Sequence, residues 1–395
     1  MSEVAAGLRT GLLELEQRFL MRNYSRQAVE FVRGEGVTLF DSEGNAYLDF
    51  LAGIGVCNTG HCHPQVVEAI REQAGRLIHT SNLFHIEQQA RLAQRLADGF
   101  EPGARAFFCN SGAEANEAAI KLARKRRRRG EIVMLEGAFH GRTLGALSAT
   151  PQESKQEAFA PMVEGFVAVP RSDVAALEAA VSERTAAVLL EPIQGETGVW
   201  PISEPMLEAA RGLCDRTGAL LVFDEVQCGM GRTGVLWASA QTSTVRPDVI
   251  TAAKALASGL PIGAVIAGGE AADVFEPGDH GSTFGGGPLV CAAALATLDV
   301  LDDEQLLSRV RVLGDRLRVG LEAMAAAGRL IDVRGRGLII GADLPDPRAA
   351  EVVTDALAQG IVLNATGPAT LRFLPPLVID EADVDRVLDF LGTAL

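Results

Sequence analysis

The sequence has little of several features that would assign it to other classes of protein. No apolar stretch is long and free enough of charge to predict a membrane-spanning helix. Residues 1–23 carry acids at Glu3, Glu14 and Glu16 and lack an apolar segment before a small-residue cleavage site, so they do not resemble a secretory signal. The six cysteines are scattered, which favours reduced thiols in the cytoplasm over a disulfide framework.

Positive charge is also in deficit. The 51 acidic and 36 basic side chains give a formal net charge of -15, which repels nucleic-acid backbones and anionic membranes. The one basic run, residues 124–130, closes a predicted helix, where cations meet the negative end of the helix dipole and Gly130 can cap. The adjacent His61, Cys62 and His63 have no second ligand cluster, so no metal site is predicted. We therefore expect neither nucleic acid nor a membrane as a partner.

Length and hydrophobic patterning predict an α/β protein with more than one domain. A chain of 395 residues exceeds what one hydrophobic core usually supports. No internal repeat is visible, and the middle of the chain alternates short apolar runs with helical patterns, which is typical of a mostly parallel sheet. The predicted strands, apolar almost throughout as in a sheet buried on both faces, are residues 106–110, 131–135, 186–193, 219–226, 248–254 and 263–269.

After about residue 300 the pattern changes to that of a smaller α+β domain. A long charged helical segment precedes two strand candidates, within residues 337–344 and 371–380, with another helix between them. Near the start of the chain, a hairpin pattern turns at residues 42–45 and is expected to join this domain. Both chain ends are therefore predicted to form a small domain around a large one, with segments 1–55, 56–300 and 301–395.

Small or ionisable residues follow three of the predicted strands, at the edge where ligands bind in open α/β sheets. Ser111, Gly112 and Ala113 open a helix, which leaves backbone N–H groups available for a phosphate. Asp224 and Lys254 emerge from two buried strands, where an unpaired charge is costly. A structural salt bridge between Asp224 and Lys254 would satisfy both charges.

A single ligand could also pair with both Asp224 and Lys254 and would give each residue a role in catalysis. Pyridoxal 5'-phosphate (PLP) binds a lysine amine as a Schiff base, offers its ring nitrogen to an aspartate and places its phosphate at a helix N-terminus. Asp224 would keep the ring nitrogen protonated, so that the ring accepts electrons. Lys254, once displaced by the substrate amine, would move a proton between substrate and cofactor carbons. The sequence therefore predicts a PLP enzyme with Lys254 and Asp224 as its catalytic residues.

A competing interpretation comes from the G-x-G-x-x-G spacing of Gly229, Gly231 and Gly234. A dinucleotide-binding fingerprint follows its strand directly and opens a helix within a β-α-β unit. Here Gln227 and Cys228 intervene, and the chain continues toward a proline and another strand. We therefore interpret these glycines as shaping a loop beside the cofactor.

Several motifs in order resemble those of class III (subgroup II) aminotransferases of fold type I. They are NSGAEANEAAIKLAR, FHGRT, EPIQGETGV, LVFDEVQCGMGRTG, AKAL, HGSTFGG and LRFLPPL. Within that family GHCHP, HTSNLF and VLNATGPATLRFLPPLVI are most similar to enzymes of the acetylornithine type. The resemblance runs from about residue 20 to the end of the chain. It implies the α/β fold of type I PLP-dependent transferases and a homodimer with shared active sites.

The resemblance also implies individual roles at the cofactor. Gly112 and Ala113 would contact the phosphate, with Ser111 beside them. Phe139 would stack on the pyridine ring and Gln227 would hydrogen-bond the ring hydroxyl. The side chain at Thr283 would reach the phosphate bound by the partner subunit, and this is why the resemblance implies at least a dimer.

Two arginines and a glutamate are implied to receive the substrates. Arg372 would bind the α-carboxylate of glutamate or 2-oxoglutarate, and Arg142 their distal carboxylate or the carboxylate of the acylated ornithine. Glu196 would pair with Arg372 in one half-reaction and swing away in the other; the alternative is a permanent salt bridge. Tyr24 and Asn82 match positions that border the substrate pocket in relatives.

The implied reaction converts N-acetylornithine and 2-oxoglutarate to N-acetylglutamate 5-semialdehyde and glutamate, as in arginine biosynthesis. Alternative substrates are carrier-linked or acylated lysine, succinyldiaminopimelate, succinylornithine, ornithine and 4-aminobutyrate. The pattern is also compatible with a different PLP reaction, such as decarboxylation, racemisation or amine migration, and with a non-catalytic protein that keeps the fold. Four residues depart from the family pattern and leave the loop geometry and acyl preference open: Thr197, Ala257, Ser258 and Gly287.

Overall fold

The computed structural model describes residues 11–241, 245–303 and 305–395. Its strands are β1 Phe31–Glu35, β2 Thr38–Asp41, β3 Ala46–Asp49, β4 Arg105–Cys109, β5 Glu131–Leu135, β6 Phe166–Val169, β7 Thr185–Leu190, β8 Ile193–Gln194, β9 Trp200–Pro201, β10 Leu220–Asp224, β11 Val249–Ala252, β12 Gly263–Ala267, β13 Asp332–Arg336, β14 Ile339–Asp343, β15 Ile361–Val362, β16 Asn364–Ala365 and β17 Thr370–Phe373. Its helices are α1 Leu12–Phe19, α2 Ala52–Gly55, α3 Pro64–Ala74, α4 Glu87–Asp98, α5 Gly112–Arg126, α6 Leu144–Ser148, α7 Glu153–Gln156, α8 Val174–Ala180, α9 Glu204–Thr217, α10 Pro288–Asp303, α11 Leu306–Ala326, α12 Ala349–Ala358 and α13 Glu381–Ala394. Of the described helices, none has the length and apolarity needed to cross a bilayer.

A seven-stranded sheet forms the centre of the fold, in the order β4-β12-β11-β10-β7-β5-β6. All neighbours pair in parallel except β12, which is antiparallel to both β11 and β4. Every residue of β7, β10, β11 and β12 is buried, as expected for strands covered on both faces. The structure therefore confirms the predicted α/β fold with a mostly parallel central sheet.

Two further four-stranded sheets have the orders β1-β2-β3-β15 and β13-β14-β17-β16. The predicted hairpin is present, because Phe40 of β2 lies opposite Ala46 of β3. The carboxylate of Asp41 stabilises its turn by accepting hydrogen bonds from the backbone N–H groups of residues 43 and 45. Near the C-terminus, β15 pairs in parallel with β3, with Ile361 opposite Leu48. Segments from both ends of the chain thus share one sheet.

The basic run after α5 corrects one detail of the sequence prediction. α5 ends at Arg126 and its C-cap is Arg127, not Gly130. The Arg127 guanidinium donates hydrogen bonds to the carbonyl oxygens of Thr185 and Thr217, both at 2.6 Å. The side chain therefore satisfies carbonyl groups of neighbouring elements, and the extended backbone of Arg127 ends the helix before Gly130. At Gly130 a Cβ would lie 2.5 Å from a methyl group of β7, so this glycine permits close packing.

Candidate active site

A cavity of about 420 Å³ opens at the carboxyl edge of the central sheet. It lies among the loops that follow β4, β5, β8, β10 and β11. Within the described ranges, no cluster of three or more His, Cys, Asp or Glu residues could hold a metal ion. The predicted site residues that line the cavity are Ser111, Gly112, Ala113, Phe139, Arg142, Glu196, Asp224, Gln227 and Lys254. Most of the predicted site therefore shares one cavity.

Asp224 is the last residue of β10 and is almost fully buried. Its Oδ2 accepts hydrogen bonds from Asn116 Nδ2 and His140 Nδ1, both at 2.7 Å. Its Oδ1 accepts one from the backbone N–H of Val226 at 3.0 Å. Sequence reasoning missed Asn116 and His140, which fix the carboxylate in one orientation. The structural salt bridge between Asp224 and Lys254 is not formed.

Lys254 follows β11, the strand next to β10 in the sheet, and begins a short 3-10 helix of residues 254–257. Its φ of 44° is uncommon for a residue with a side chain and marks a locally strained backbone. Burial lowers the pKa of Lys254, and the Glu196 carboxylate only partly offsets this effect. A larger fraction of the amine is therefore in the neutral, nucleophilic form than in free lysine.

The N-terminus of α5 supplies donors for an anion. Ser111 is its N-cap and accepts a hydrogen bond through Oγ from the backbone N–H of Glu114 at 3.2 Å. The N–H groups of Gly112 and Ala113, in the first turn, have no intrahelical acceptor. A Cβ at Gly112 would lie 2.8 Å from the Val226 side chain, so glycine lets the helix end approach the loop after β10. Helix dipole and exposed N–H groups fit a phosphate.

Arg372 and Glu196 form a buried ion pair beside the cavity. Arg372 Nη1 lies 2.7 Å from Glu196 Oε1, and Gln227 Nε2 donates to the same oxygen at 3.1 Å. Burial alone would raise the pKa of Glu196, but Arg372 and Lys254 lower it to about 2. Asn364 Oδ1 accepts two further hydrogen bonds from the Arg372 guanidinium. Glu196 lines the cavity and Arg372 does not, so the carboxylate covers this arginine on the cavity side.

Arg142 and Phe139 lie on one loop after β5. The Arg142 side chain is exposed, and its guanidinium carbon is 5.5 Å from the centroid of the Phe139 ring. The backbone N–H of Phe139 donates to Glu191 Oε1 at 2.9 Å. Burial raises the pKa of Glu191 to about 7. Sequence reasoning did not select Glu191, although an acid directly after the buried strand β7 could have indicated it.

Besides Arg372, three other predicted residues lie outside the cavity wall. Asn82 Nδ2 donates to the carbonyl oxygens of Ser282 and Gly285, at 3.0 and 3.1 Å, and so adjoins the loop that carries Thr283. The Thr283 side chain is exposed. Tyr24 is 72% exposed and lines a separate surface cavity formed by α1 and the residues after it. The single chain therefore does not bring Tyr24, Asn82 or Thr283 into the site.

Of the residues that depart from the family pattern, Ser258 and Thr197 form hydrogen bonds through their hydroxyl groups, and Gly287 lies where a Cβ would also fit. Ser258 adopts the left-handed region with φ 43°, and its Oγ lies 2.7 Å from Thr59 Oγ1. Thr197 Oγ1 donates to the carbonyl oxygen of Gly137 at 2.9 Å. A Cβ at Gly287 would meet no atom closer than 3.4 Å, so the glycine is not required there. Each serine or threonine hydroxyl thus anchors the loop that contains it.

The glycine-rich loop after β10 contributes an arginine rather than a phosphate cradle. Gly231 and Gly234 have φ values of 85° and 87°, and no α-helix follows in the described residues before β11. Between them Arg232 is fully buried and donates to Asn58 Oδ1 at 2.5 Å, to the Leu338 carbonyl at 3.1 Å and to the Pro375 carbonyl. The dinucleotide interpretation of this motif is therefore wrong.

Comparison with known proteins gives a consistent family. A model of the family "Aminotransferase class-III" matches residues 20–395. The chain is 48% identical to the acetylornithine aminotransferase of Thermosynechococcus vestitus, with 99% of this chain and 98% of that protein covered.

Two solved structures are also similar. One is an ornithine aminotransferase from Toxoplasma gondii that holds PLP at partial occupancy (TM-score 0.90, 33% identity, 99% of this chain and 95% of that chain covered). The other is the acetylornithine aminotransferase from Elizabethkingia anophelis (TM-score 0.85, 36% identity, 96% and 97% covered). Sequence motifs, fold and near-complete coverage agree, and the chain belongs to the class-III aminotransferase family.

Proposed function

We propose that this protein is a PLP-dependent aminotransferase that transfers the terminal amine of N-acetylornithine to 2-oxoglutarate. The products are N-acetylglutamate 5-semialdehyde and glutamate. The observation that carries the proposal is one cavity that holds Lys254, Asp224 and the N-terminus of α5, the three groups that PLP requires. Sequence identity of 44–48% over nearly the whole chain to proteins named acetylornithine aminotransferase supports the choice of substrate.

The residues present fit PLP at each of its polar groups. We infer that the N–H groups of Gly112 and Ala113 hold the phosphate, that Phe139 stacks on the ring and that Gln227 hydrogen-bonds the ring hydroxyl. When bound, PLP stabilises the negative charge left on the substrate carbon that loses its proton. Asp224 holds the proton on the ring nitrogen, because Asn116 and His140 prevent its carboxylate from turning away.

Lys254 moves the proton in this proposal. Lys254 follows β11, the strand next to the one that ends at Asp224, and burial lowers its pKa, so more of its amine is in the neutral form that can accept a proton than in free lysine. The described residues offer Lys254 no hydrogen bond or salt bridge that would hold its amine away from the substrate. Because Lys254 follows the end of β11 at the cavity, the same amine can both bind PLP and transfer the proton.

Arg372, Glu196 and Arg142 distinguish the two substrates. N-acetylornithine enters with an amine that has no neighbouring carboxylate, so Glu196 stays on Arg372 and neutralises it. Glutamate carries an α-carboxylate beside its amine, which replaces Glu196 on Arg372. Arg142, on the cavity loop that follows β5, receives the remaining carboxylate of either substrate. The ion pair that the structure contains corresponds to the first of these arrangements.

A second copy of the chain completes the site in this proposal. The segment of residues 77–84 and the segment of residues 282–285, joined by hydrogen bonds of Asn82, form an exposed apolar surface that we call the Thr283 surface. Its exposed apolar side chains are Ile78 at 61%, Leu83 at 87%, Phe84 at 66% and Phe284 at 66%. Asn110 connects this surface to the cavity, because it lines the cavity and donates to Ser282 Oγ at 3.1 Å. An apolar patch beside an active site is typical of a subunit interface.

The proposal includes the division of the chain and its location. Segments 1–55 and 301–395 would form the small domain, supported by the sheet that β3 shares with β15. Segment 56–300, which contains the whole central sheet, would form the large domain. The six free cysteines support a reducing compartment, the cytoplasm.

A panel of half-reactions tests the substrate. The PLP-loaded protein is mixed with N-acetylornithine, N-succinylornithine, succinyldiaminopimelate, an acylated lysine, ornithine or 4-aminobutyrate, and its conversion to the amine form is followed by absorbance. We expect N-acetylornithine to react with the highest kcat/KM and 2-oxoglutarate to regenerate the starting form. Much faster reaction of ornithine or 4-aminobutyrate would contradict the substrate, and absence of any transfer to 2-oxoglutarate would contradict the reaction.

A further inference from the structure

Lys155 lies on α7, a segment that hydrogen bonds fix to the loop that holds Phe139. Its ammonium group donates to Gln152 Oε1 at 2.5 Å. Gln152 Nε2 in turn donates to the carbonyl oxygen of Ala138 at 2.9 Å, one residue before Phe139. From the same short helix, Gln156 Nε2 donates to two carbonyl oxygens in and after α6, at 2.9 and 2.8 Å. These bonds hold the half-buried Lys155 side chain next to the loop that carries Phe139 and Arg142 of the cavity wall, although Lys155 itself does not line the cavity.

Lys155 interacts electrostatically with two residues of the cavity wall. Burial lowers the pKa of Lys155 and the positive charge of Arg142 lowers it further, whereas the charge of Glu196 raises it. Glu196 is already bound by Arg372 and Gln227. Across the described part of the chain, neither Arg142 nor Lys155 forms an ion pair with a carboxylate. A cation of the cavity wall, Arg142, with a second cation near it and no carboxylate of the described residues paired to either, indicates an anionic ligand.

The two proposed substrates place their carboxylates at different distances from the reacting carbon. In glutamate three carbon–carbon bonds separate the reacting carbon from its distal carboxylate carbon. In N-acetylornithine four bonds separate the reacting carbon from the α-carboxylate carbon. A planar guanidinium on one loop binds a carboxylate best in one geometry, whereas an ammonium on a flexible four-carbon stem adjusts its position. A guanidinium together with an ammonium therefore suits a site that must bind the carboxylates of both substrates.

We propose that Lys155 determines specificity together with Arg142, as the second cation for the carboxylate that lies farthest from the reacting carbon. This inference rests on the proposed aminotransferase function and adds a residue to its substrate site. Arg142 provides the fixed hydrogen bonds, and Lys155 follows the carboxylate as its distance changes between the two half-reactions. Lys155 does not take part in the proton transfer.

The test compares substrates that differ only in this carboxylate. The PLP-loaded wild type, Lys155→Gln, Lys155→Arg and the surface variant Lys125→Gln are each mixed with N-acetylornithine, glutamate or N-acetyl-1,4-diaminobutane, which is N-acetylornithine without its carboxylate. We expect Lys155→Gln to raise the half-saturating concentration of the two carboxylate substrates about tenfold, the value of one charge-assisted hydrogen bond. The limiting rate and the reaction of N-acetyl-1,4-diaminobutane should change less than twofold. Lys155→Arg should lose less affinity than Lys155→Gln, and Lys125→Gln should match the wild type.

Three outcomes would overturn the inference. One is an equal loss for the substrate without a carboxylate, which would indicate a merely structural residue. The second is unchanged affinity for both carboxylate substrates, and the third is a loss in Lys125→Gln of the same size. If Lys155→Gln melts at a lower temperature than the wild type, Lys155→Met, which keeps the apolar stem, replaces it. Glutamate is common to every alternative amine donor, so its half-reaction tests Lys155 even if N-acetylornithine is not the substrate.

Discussion

At the residue scale, the Glu196 side chain tests how one site binds two substrates. Arg372 is 2% exposed, so loss of its carboxylate partner leaves a buried charge unpaired. Glutamate brings its own α-carboxylate to Arg372, but N-acetylornithine does not. In Glu196→Ala we therefore expect kcat/KM of the N-acetylornithine half-reaction to fall at least about tenfold more than that of the glutamate half-reaction, a difference of roughly 1.4 kcal/mol. Stopped-flow absorbance of the PLP-loaded variant measures both.

The matched control for this experiment is Glu153→Ala, which removes an exposed carboxylate from α7. It should leave both half-reactions unchanged. Equal slowing of the two half-reactions in Glu196→Ala would show that the ion pair with Arg372 is permanent and that no gating occurs.

The strand-end residues were accessible to sequence reasoning, whereas their polar partners were not. Lys254 and Asp224 were predicted because burying an unpaired charge at the end of a strand costs free energy, so each residue was expected to have a partner or a bound ligand. Asn116 and His140 hydrogen-bond Asp224 across 108 and 84 positions of sequence, and only the order of strands in the sheet brings them together. The burial of Glu191, which raises its pKa, likewise could not be predicted from the sequence because it depends on the folded structure.

At the element scale, Arg232 connects the loop after β10 to two other parts of the fold. Its guanidinium donates to acceptors on Asn58, Leu338 and Pro375 and is fully buried. Arg232→Met removes three donors and leaves these buried oxygens without them. We expect a loss of about 3 kcal/mol or more in the free energy of unfolding, at roughly 1 kcal/mol for each acceptor. Urea unfolding measures this loss.

The exposed Arg336 provides the control for Arg232. Its guanidinium makes a long hydrogen bond to Gln241 Oε1 at 3.4 Å, at the protein surface. Arg336→Met should change the free energy of unfolding by less than about 0.5 kcal/mol. Equal stability of Arg232→Met and Arg336→Met would contradict a connecting role for the buried guanidinium.

A partly buried histidine, His61, links the end of β3 to the segment before α3 and makes stability depend on pH. Burial alone would lower the pKa of His61, but hydrogen bonds with Asp49 and Cys57 raise it to about 10. The pKa of His61 in the folded protein thus exceeds the ordinary histidine pKa of about 6.5. The positive charge of His61 therefore stabilises the fold fully below pH about 6.5, and this stabilisation is lost as the pH rises from there to about 10. We expect the melting temperature of the wild type to fall over this range more steeply than that of His61→Gln. Parallel curves would contradict this expectation, and His85→Gln, at an exposed histidine, should behave as the wild type.

Strands were predictable where they are long and buried, and helix ends were less so. The predicted strand 131–135 matches β5, and each of the other five overlaps an observed strand. β6 was missed because it is a four-residue edge strand that is only partly buried. The reversed direction of β12 was not predicted either. Only ten residues, 253–262, separate β11 from β12, too few for a crossover helix to return the chain to the same edge.

At the scale of the whole molecule, the proposed homodimer depends on the Thr283 surface. The double variant Leu83→Glu/Phe284→Glu replaces two strongly exposed apolar side chains of that surface with carboxylates. We expect the wild type to sediment at twice the chain mass of 41.7 kDa, and the double variant to sediment as a monomer with little activity. Sedimentation velocity measures the mass.

The control replaces Ile331, which is 67% exposed outside this surface, with glutamate. Ile331→Glu should remain dimeric and active. A wild type that is active at the mass of one chain would contradict the shared site, and so would full activity of the monomeric double variant.

A single chain shows the residues of its own cavity but not those that a second copy supplies. Asp224, Lys254 and the start of α5 could be predicted because they follow strands of one mostly parallel sheet, which the alternation of strands and helices indicates. The other cavity residues that were predicted, Phe139, Arg142, Glu196 and Gln227, came from the family resemblance. Thr283, Asn82 and Tyr24 lie on exposed segments, so neither their sequence context nor the fold of one chain tests the roles implied for them. Those roles remain predictions that depend on the dimer.

The most direct test of the central claim is to locate the covalent attachment of PLP. The chain contains four lysines, at positions 121, 125, 155 and 254, so an adduct is assigned without ambiguity. The protein is loaded with PLP, reduced with borohydride, digested and analysed by mass spectrometry. We expect a pyridoxyl group on Lys254, together with loss of the visible absorbance, and neither signal in Lys254→Ala. An unmodified Lys254 in the loaded wild type, or equal labelling of Lys121, Lys125 or Lys155, would contradict the assignment.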